Sequence, residues 1–261
     1  MSESSLVSLL CDNHVAQITI NRPDSRNALS FPTLLRLREI LAEIAQRQDV
    51  WAVTITGEGD KAFCAGADLK ERRDMSEEQV VEFVRNIRGT MNDIANLPQP
   101  TIAIINGHAF GGGCEMAIAC DLRIMNSSAL IGLTETSLAI IPGAGGCVRL
   151  PRIVGAAKAK EMILLAKRMT ASEAADCSLV NAVVDSEQLA AASQTMVEQL
   201  LANGPLALQA AKAAVDLGID LSIDDALEQE AECYSRIIPT SDRLEALAAF
   251  AEKRKPEFKG K

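Results

Sequence analysis

The order of apolar stretches predicts an α/β protein with largely parallel strand pairing. Short runs rich in Val, Ile and Thr recur along the first half of the chain, segments of helical period follow them, and Gly and Pro punctuate the joins. At 261 residues and 48% hydrophobic, the chain has material for one large core domain plus an appendage. Aromatic residues make up only 3%, so the core and any pocket must be mainly aliphatic.

The elements follow in order. Residues 15–20, VAQITI, alternate as a half-buried strand does, and Pro23 and Asp24 punctuate the loop after it. Leu34, Leu37, Leu41 and Ile44 share one helical face, which predicts a helix over 32–48. A second strand spans 51–56 and stops at Gly57, Gly59 and Asp60. Ser76 and Gln79 have the spacing of a capping box, and Val80, Val84, Ile87, Met91 and Ile94 continue the helix it would start. Pro98 and Pro100 close that helix. A third strand occupies 101–105, Asn106-Gly107 turns the chain, a short apolar helix covers 112–120, and a strand covers 122–125. From Ser186 the pattern is helical, broken at Gly204-Pro205, Gly218 and Pro239. These features divide the chain into a core over 1–199 and a helical region over 200–261. No repeat of fixed period and no low-complexity linker is visible.

Composition excludes several functions. The 26 basic and 35 acidic residues leave a net charge of −9, which disfavours a general nucleic-acid binder. The seven cysteines are odd in number and form no CxxC pair, as expected of reduced thiols in a cytoplasmic protein. The amino terminus, MSESSLVSLLCDNH, lacks a basic targeting segment, and no apolar run is long enough to span a membrane. No HExxH, CxxC or Asp-x-Asp cluster offers a metal site. GAGGCV after Pro142 lacks the spacing of a dinucleotide fingerprint, and the absence of G-x-S-x-G disfavours a Ser-His-Asp hydrolase around His108.

Two glycine-built stretches carry the chemistry: FCAGADLKER at 63–72 and GHAFGGGCE at 107–115. Glycine beside a small residue lets backbone N–H groups approach a ligand, and two such loops can aim two donors at one oxygen. Glu115 ends the second loop at the start of a helix, where the bland alternative is a carboxylate paired with the helix dipole. Glu135 stands in GLTETSLAIIPGAGG, where apolar surroundings would raise its pKa and let it serve as an acid, unless it is merely a solvated loop residue. Asp68 can cap a loop or helix start, and Lys70 is either solvated or faces an anionic substrate. Cys64 and Cys114 lie inside the loops, but buried thiols usually act as small apolar groups.

FCAGADLKER, GHAFGGGCE and GLTETSLAIIPGAGG together resemble the crotonase (enoyl-CoA hydratase/isomerase) superfamily, from about residue 15 to the carboxyl terminus. NDIANLPQPTIA and the closing IPTSDRLEALAAFAEKRKPEFKGK resemble the branch containing methylglutaconyl-CoA hydratase and AU-rich-RNA-binding enoyl-CoA hydratases. The resemblance implies a spiral of ββα turns rather than a doubly wound sheet, with a carboxy-terminal helical region that builds trimers or hexamers. It implies an acyl-CoA thioester substrate and no separate cofactor, coenzyme A being part of the substrate. It assigns the oxyanion hole to the N–H groups of Ala67 and Gly112, the catalytic pair to Glu115 and Glu135, and the thioester and pantetheine lining to Ala67, Asp68, Leu69 and Lys70. Arg26 and Ala28 match an early CoA-contacting loop, and Phe250 and Lys253 match residues reaching a neighbouring subunit's CoA. Possession of both glutamates favours hydration, since relatives that only isomerise or hydrolyse often lack one. One departure is Cys147-Val148, where many relatives carry Thr-Gln. The RNA-binding members of the branch use a lysine-bearing helix, whereas residues 32–50 here hold no lysine, so no nucleic-acid partner is expected.

Overall fold

The computed structural model describes residues 6–261. The first five residues of the stretch searched for a targeting signal therefore lie outside the described part. The chain opens with a hairpin, β1 (Val7–Asp12) antiparallel to β2 (Val15–Ile20). Strands β3 (Ala52–Gly57), β5 (Thr101–Ile105), β7 (Leu122–Asn126) and β10 (Ala182–Val184) then add to β2 in parallel, giving a six-stranded sheet. A second sheet holds β4 (Ala62–Cys64), β6 (His108–Phe110) and β8 (Leu130–Gly132) in parallel, with β9 (Met169–Thr170) antiparallel at its edge.

Each turn of the chain gives one strand to each sheet and then a helix. β3 and β4 lead through a four-residue helix, α2 (Leu69–Arg72), to α3 (Glu77–Ala95), and β5 and β6 lead to α4 (Gly112–Ala119). β7 and β8 lead to a 3-10 turn at Glu135–Leu138 and then to α5 (Gly146–Val154). This is the spiral of ββα turns that the resemblance implied, and it replaces the doubly wound sheet suggested by periodicity. The first-sheet strands of the successive turns begin at 52, 101 and 122, an unequal spacing that explains why no fixed period shows in the sequence.

The helix ends follow local chemistry. Helix α1 (Phe31–Ala45) is capped by Ser30, whose side chain accepts from the Thr33 N–H, with Pro32 in its first turn. It is shorter at its carboxyl end than the predicted 32–48. Its buried Leu34, Leu37, Leu41 and Ile44 form the stripe read from the sequence. Ser76 and Gln79 make both bonds of the capping box that starts α3. All eight residues of α4 are buried. Two glycines make its position possible: a Cβ on Gly113 would collide with the Cys64 carbonyl oxygen, and Gly66 takes φ +92 with its α-carbon facing the Phe110 carbonyl.

No element between 126 and 185 was legible from periodicity. The chain there forms β8, the 3-10 turn, α5, α6 (Ala156–Leu164), β9, α7 (Ala171–Asp176) and β10. It then continues as α8 (Ser186–Leu201), α9 (Pro205–Gly218), α10 (Ile223–Ser235) and α11 (Ser241–Glu252), separated at the predicted breaks. The leading segment, unassigned in the sequence, is strand β1, and His14 after it stacks on Trp51 with ring centroids 3.9 Å apart.

Candidate functional site

Strand β4 delivers the first glycine loop and strand β6 the second, so pairing of β4 with β6 sets the loops side by side. Leu29 bridges Ala67 in parallel, and that bridge is made by the Gly66 carbonyl and the Asp68 N–H, which leaves the Ala67 N–H directed elsewhere. Gly112 opens α4, where an N–H has no intrahelical acceptor. The two donors are neighbours: a Cβ on Gly112 would stand 3.5 Å from the Ala67 nitrogen.

Ala67, Leu69, Gly112, Glu115 and Glu135 all line one cavity of about 580 Å³. Helix α3 supplies its apolar wall through Val80, Phe83, Val84 and Ile87. Three of these came from the predicted helix pattern, but nothing in that pattern marked them as facing a ligand.

Glu115 is 2% exposed. Its Oε1 accepts from the Ala144 N–H at 2.7 Å and the Gly146 N–H at 2.8 Å. Burial raises its pKa, while those two donors and the charges of Arg149 and Arg88 oppose the rise. Glu135 is placed differently. Burial, and then the charge of Glu115, push its pKa up to about 7. Its Oε2 is buried and has no hydrogen-bond partner. The site thus holds one carboxyl supplied with donors and another that resists ionisation.

The other candidates lie outside the cavity lining. Asp68 caps α2, accepting from the N–H groups of Lys70 and Glu71, and forms a 2.9 Å ion pair with Arg22. Lys70 is exposed, and neither it nor Asp68 lines the cavity. Arg26 is exposed in a left-handed turn and Ala28 is buried beside it. Phe250 and Lys253, at the end of α11, are exposed and lie outside the cavity lining of their own chain. His108 Nδ1 accepts from the Leu130 N–H at 3.0 Å, which ties β6 to β8. Burial pushes the Cys64 thiol up to about 12 and raises Cys114 well above its ordinary value, so both are poor nucleophiles. Sequence reasoning missed Arg88 and Arg149, whose guanidinium groups bond to the loop around Ala144.

The family model for enoyl-CoA hydratase/isomerase matches residues 11–261. The chain belongs to that family. A crystal structure of enoyl-CoA hydratase from Bacillus anthracis superposes with a TM-score of 0.96 at 47% identity, covering 98% of this chain and 100% of that one. Human enoyl-CoA hydratase domain-containing protein 2, a mitochondrial protein, is 46% identical over 96% of this chain and 87% of its own length. Human mitochondrial methylglutaconyl-CoA hydratase is 44% identical over 94% of this chain and 74% of its own. The family implies an acyl-CoA substrate. Among the described residues no helix is long and apolar enough to cross a membrane.

Proposed function

We propose that the protein adds water across the C2–C3 double bond of a trans-2-enoyl-CoA, giving a 3-hydroxyacyl-CoA. The thioester carbonyl oxygen accepts from the N–H groups of Ala67 and Gly112, which stabilise it as negative charge develops on the enolate. Ionised Glu115 holds a water molecule and takes one of its protons as the hydroxyl bonds to C3. Protonated Glu135 gives its proton to C2 on the same face as the enolate collapses. Glu115 is then protonated and Glu135 ionised, and transfer of that proton from Glu115 to Glu135 through water resets the site.

The observation that carries this reading is the contrast between the two carboxyls in one cavity. Glu115 accepts two backbone N–H bonds on Oε1, whereas Glu135 has an unpartnered Oε2 and a pKa near 7. An acid and a base held at different settings are what hydration needs near neutral pH. Asp68, Leu69 and Lys70 at the rim, with Arg26 and Ala28, would contact the thioester arm and the CoA. Phe250 and Lys253 would reach the CoA of a neighbouring subunit in a trimer or hexamer. In this reading residues 1–199 hold the site and 200–261 assemble the oligomer, and the seven unpaired cysteines favour a reducing, cytoplasmic setting.

The test is turnover with product identification across straight, branched and carboxylated enoyl-CoAs. Formation of 3-hydroxyacyl-CoA from at least one member supports hydration. A panel yielding only shifted double bonds, or free CoA, would replace it with isomerisation or thioester hydrolysis.

A further inference from the structure

The loop that clamps Glu115 is itself held from two sides by arginines. On α3, Arg88 Nε donates to the Gly143 carbonyl at 3.1 Å. On α5, Arg149 Nη1 donates to the Ala144 carbonyl at 3.2 Å, and Nη2 to Asn92 Oδ1 at 2.7 Å. Arg22, Arg38 and Arg152 are paired with aspartates, whereas these two direct their hydrogen bonds to backbone carbonyls and an amide.

The Gly143 carbonyl and the Ala144 N–H are the two ends of one planar peptide unit. That N–H is the 2.7 Å donor to Glu115 Oε1. Fixing the carbonyl therefore fixes where the N–H points. Gly143, at one end of this peptide, has no side chain to restrict its rotation, so its orientation depends on what holds the carbonyl. We propose that Arg88 is a positioning residue that acts through the Gly143–Ala144 peptide, aiming its N–H at Glu115 and keeping that carboxylate ionised for use as the base.

Every charge facing Glu115 bears on this. Arg88 reaches it from α3, Arg149 and the Cys147 thiol from α5, Glu135 from the 3-10 turn, and Cys114 from α4 itself. The two arginines favour the ionised carboxyl, and Glu135 opposes it whenever it ionises. Because Arg88 is exposed, its effect through space is screened by solvent. The effect relayed through the peptide is not.

The kinetic arm of the test rests on the hydration reading. With crotonyl-CoA, Arg88→Met should move the acid limb of the kcat/KM profile up by about one pH unit, which lowers kcat about 10-fold at pH values on the acid side of the unaltered limb, while KM changes less than about 2-fold. Arg88→Lys restores a cation and one donor, and should return the limb most of the way. An unmoved limb, or a raised KM with kcat intact, would overturn the proposal, the second by making Arg88 a substrate contact. The spectroscopic arm needs no turnover: infrared titration of the Glu115 carboxyl, assigned by the band lost in Glu115→Gln, should show it titrating at higher pH in Arg88→Met than in the unaltered protein. If the unaltered protein hydrates no enoyl-CoA, the hydration reading fails, while the infrared shift still decides the role of Arg88.

Discussion

Glu115 and Glu135 share a cavity and a tendency to hold protons, and they differ in what their oxygens touch. Burial raises both, but at Glu115 the N–H groups of Ala144 and Gly146 and the charges of two arginines oppose the rise, whereas at Glu135 only its own backbone N–H does. In the proposed reaction each carboxyl acts only as bonds to hydrogen change hands. Glu115→Gln and Glu135→Gln should each lower kcat by at least about 10²-fold with little change in KM. Steady-state kinetics with crotonyl-CoA checks this, and near-normal turnover by either variant removes that residue from the mechanism. Glu135 also has a consequence for stability. Its folded pKa of about 7 lies above the ordinary 4.5, so the native state keeps a proton that the unfolded chain has lost across that interval. The associated stability is complete below about pH 4.5 and is lost as pH rises through about 7. Glu135→Gln cannot ionise and escapes that loss. Its Tm should match that of the unaltered protein at pH 4.5 and exceed it by several degrees, on the order of 3–8 °C, at pH 8. Equal Tm values at both pH values would show that the carboxyl is not held protonated by the fold.

At the scale of elements, the site depends on how closely β4, β6 and α4 approach one another. Gly66 holds φ +92, and a side chain there would press on the Phe110 carbonyl 2.8 Å away. Gly66→Ala should therefore destabilise the fold by about 1–3 kcal/mol and reduce turnover as well, because the Ala67 N–H follows directly in the chain. Ser76→Ala is the comparison: it should cost about 1 kcal/mol through loss of the α3 cap while leaving kcat unchanged, being remote from the two donors. Denaturant unfolding with parallel kinetics separates the two, and full activity in a folded Gly66→Ala protein would count against the Ala67 donor. The contrast also shows what the sequence made legible. Helices α1 and α3 were readable because long apolar stripes and a capping box leave a periodic trace. The second sheet was not, since its strands are only two or three residues long. Helices α5 to α7, at six to nine residues, are also too short to establish a period. In the site, the glycine-rich stretches drew attention to Glu115 and Glu135, while Ala67 and Gly112 came from the family resemblance. The clamp on Glu115 stayed hidden because Ala144 and Gly146 act through their N–H groups, which carry no side-chain signature. Arg88 and Arg149 stayed hidden because their partners lie 55 and 5 residues away along the chain, joined only by the fold.

For the whole molecule, charge and exposed apolar surface point to different partners. Net charge is −9, and the three arginines of the 32–50 segment are already paired: Arg36 with Glu39, Arg38 with Asp93, and Arg47 with Asp49. Few cations remain there to displace phosphate counterions, so an AU-rich RNA should show no shift in a gel at physiological salt. Tight, sequence-selective binding would contradict that expectation. The carboxy-terminal helices behave oppositely. Ile223 is 76% exposed and Phe250 86%, with Val215, Leu227 and Leu247 also exposed along α9 to α11. A groove of about 1040 Å³ runs between α9 and the ends of α3 and α5, and it adjoins the cavity that holds Glu115 and Glu135 at Arg88, Ile141 and Gly143. Apolar surface on this scale is a mark of association rather than of a lone chain. Light scattering should therefore give three or six times the 27.9 kDa chain mass at micromolar concentration. The assembly also predicts a kinetic effect that a simple packing surface would not produce. Phe250 and Lys253 lie outside the cavity lining of their own chain, so in the proposed assembly Phe250→Ala with Lys253→Ala should weaken acyl-CoA binding through a neighbour's site. The double variant should raise KM about 5- to 10-fold with kcat near normal while remaining a trimer or hexamer. An assembled variant with unchanged KM would confine α11 to packing, and a monomeric parent protein would remove the shared site altogether.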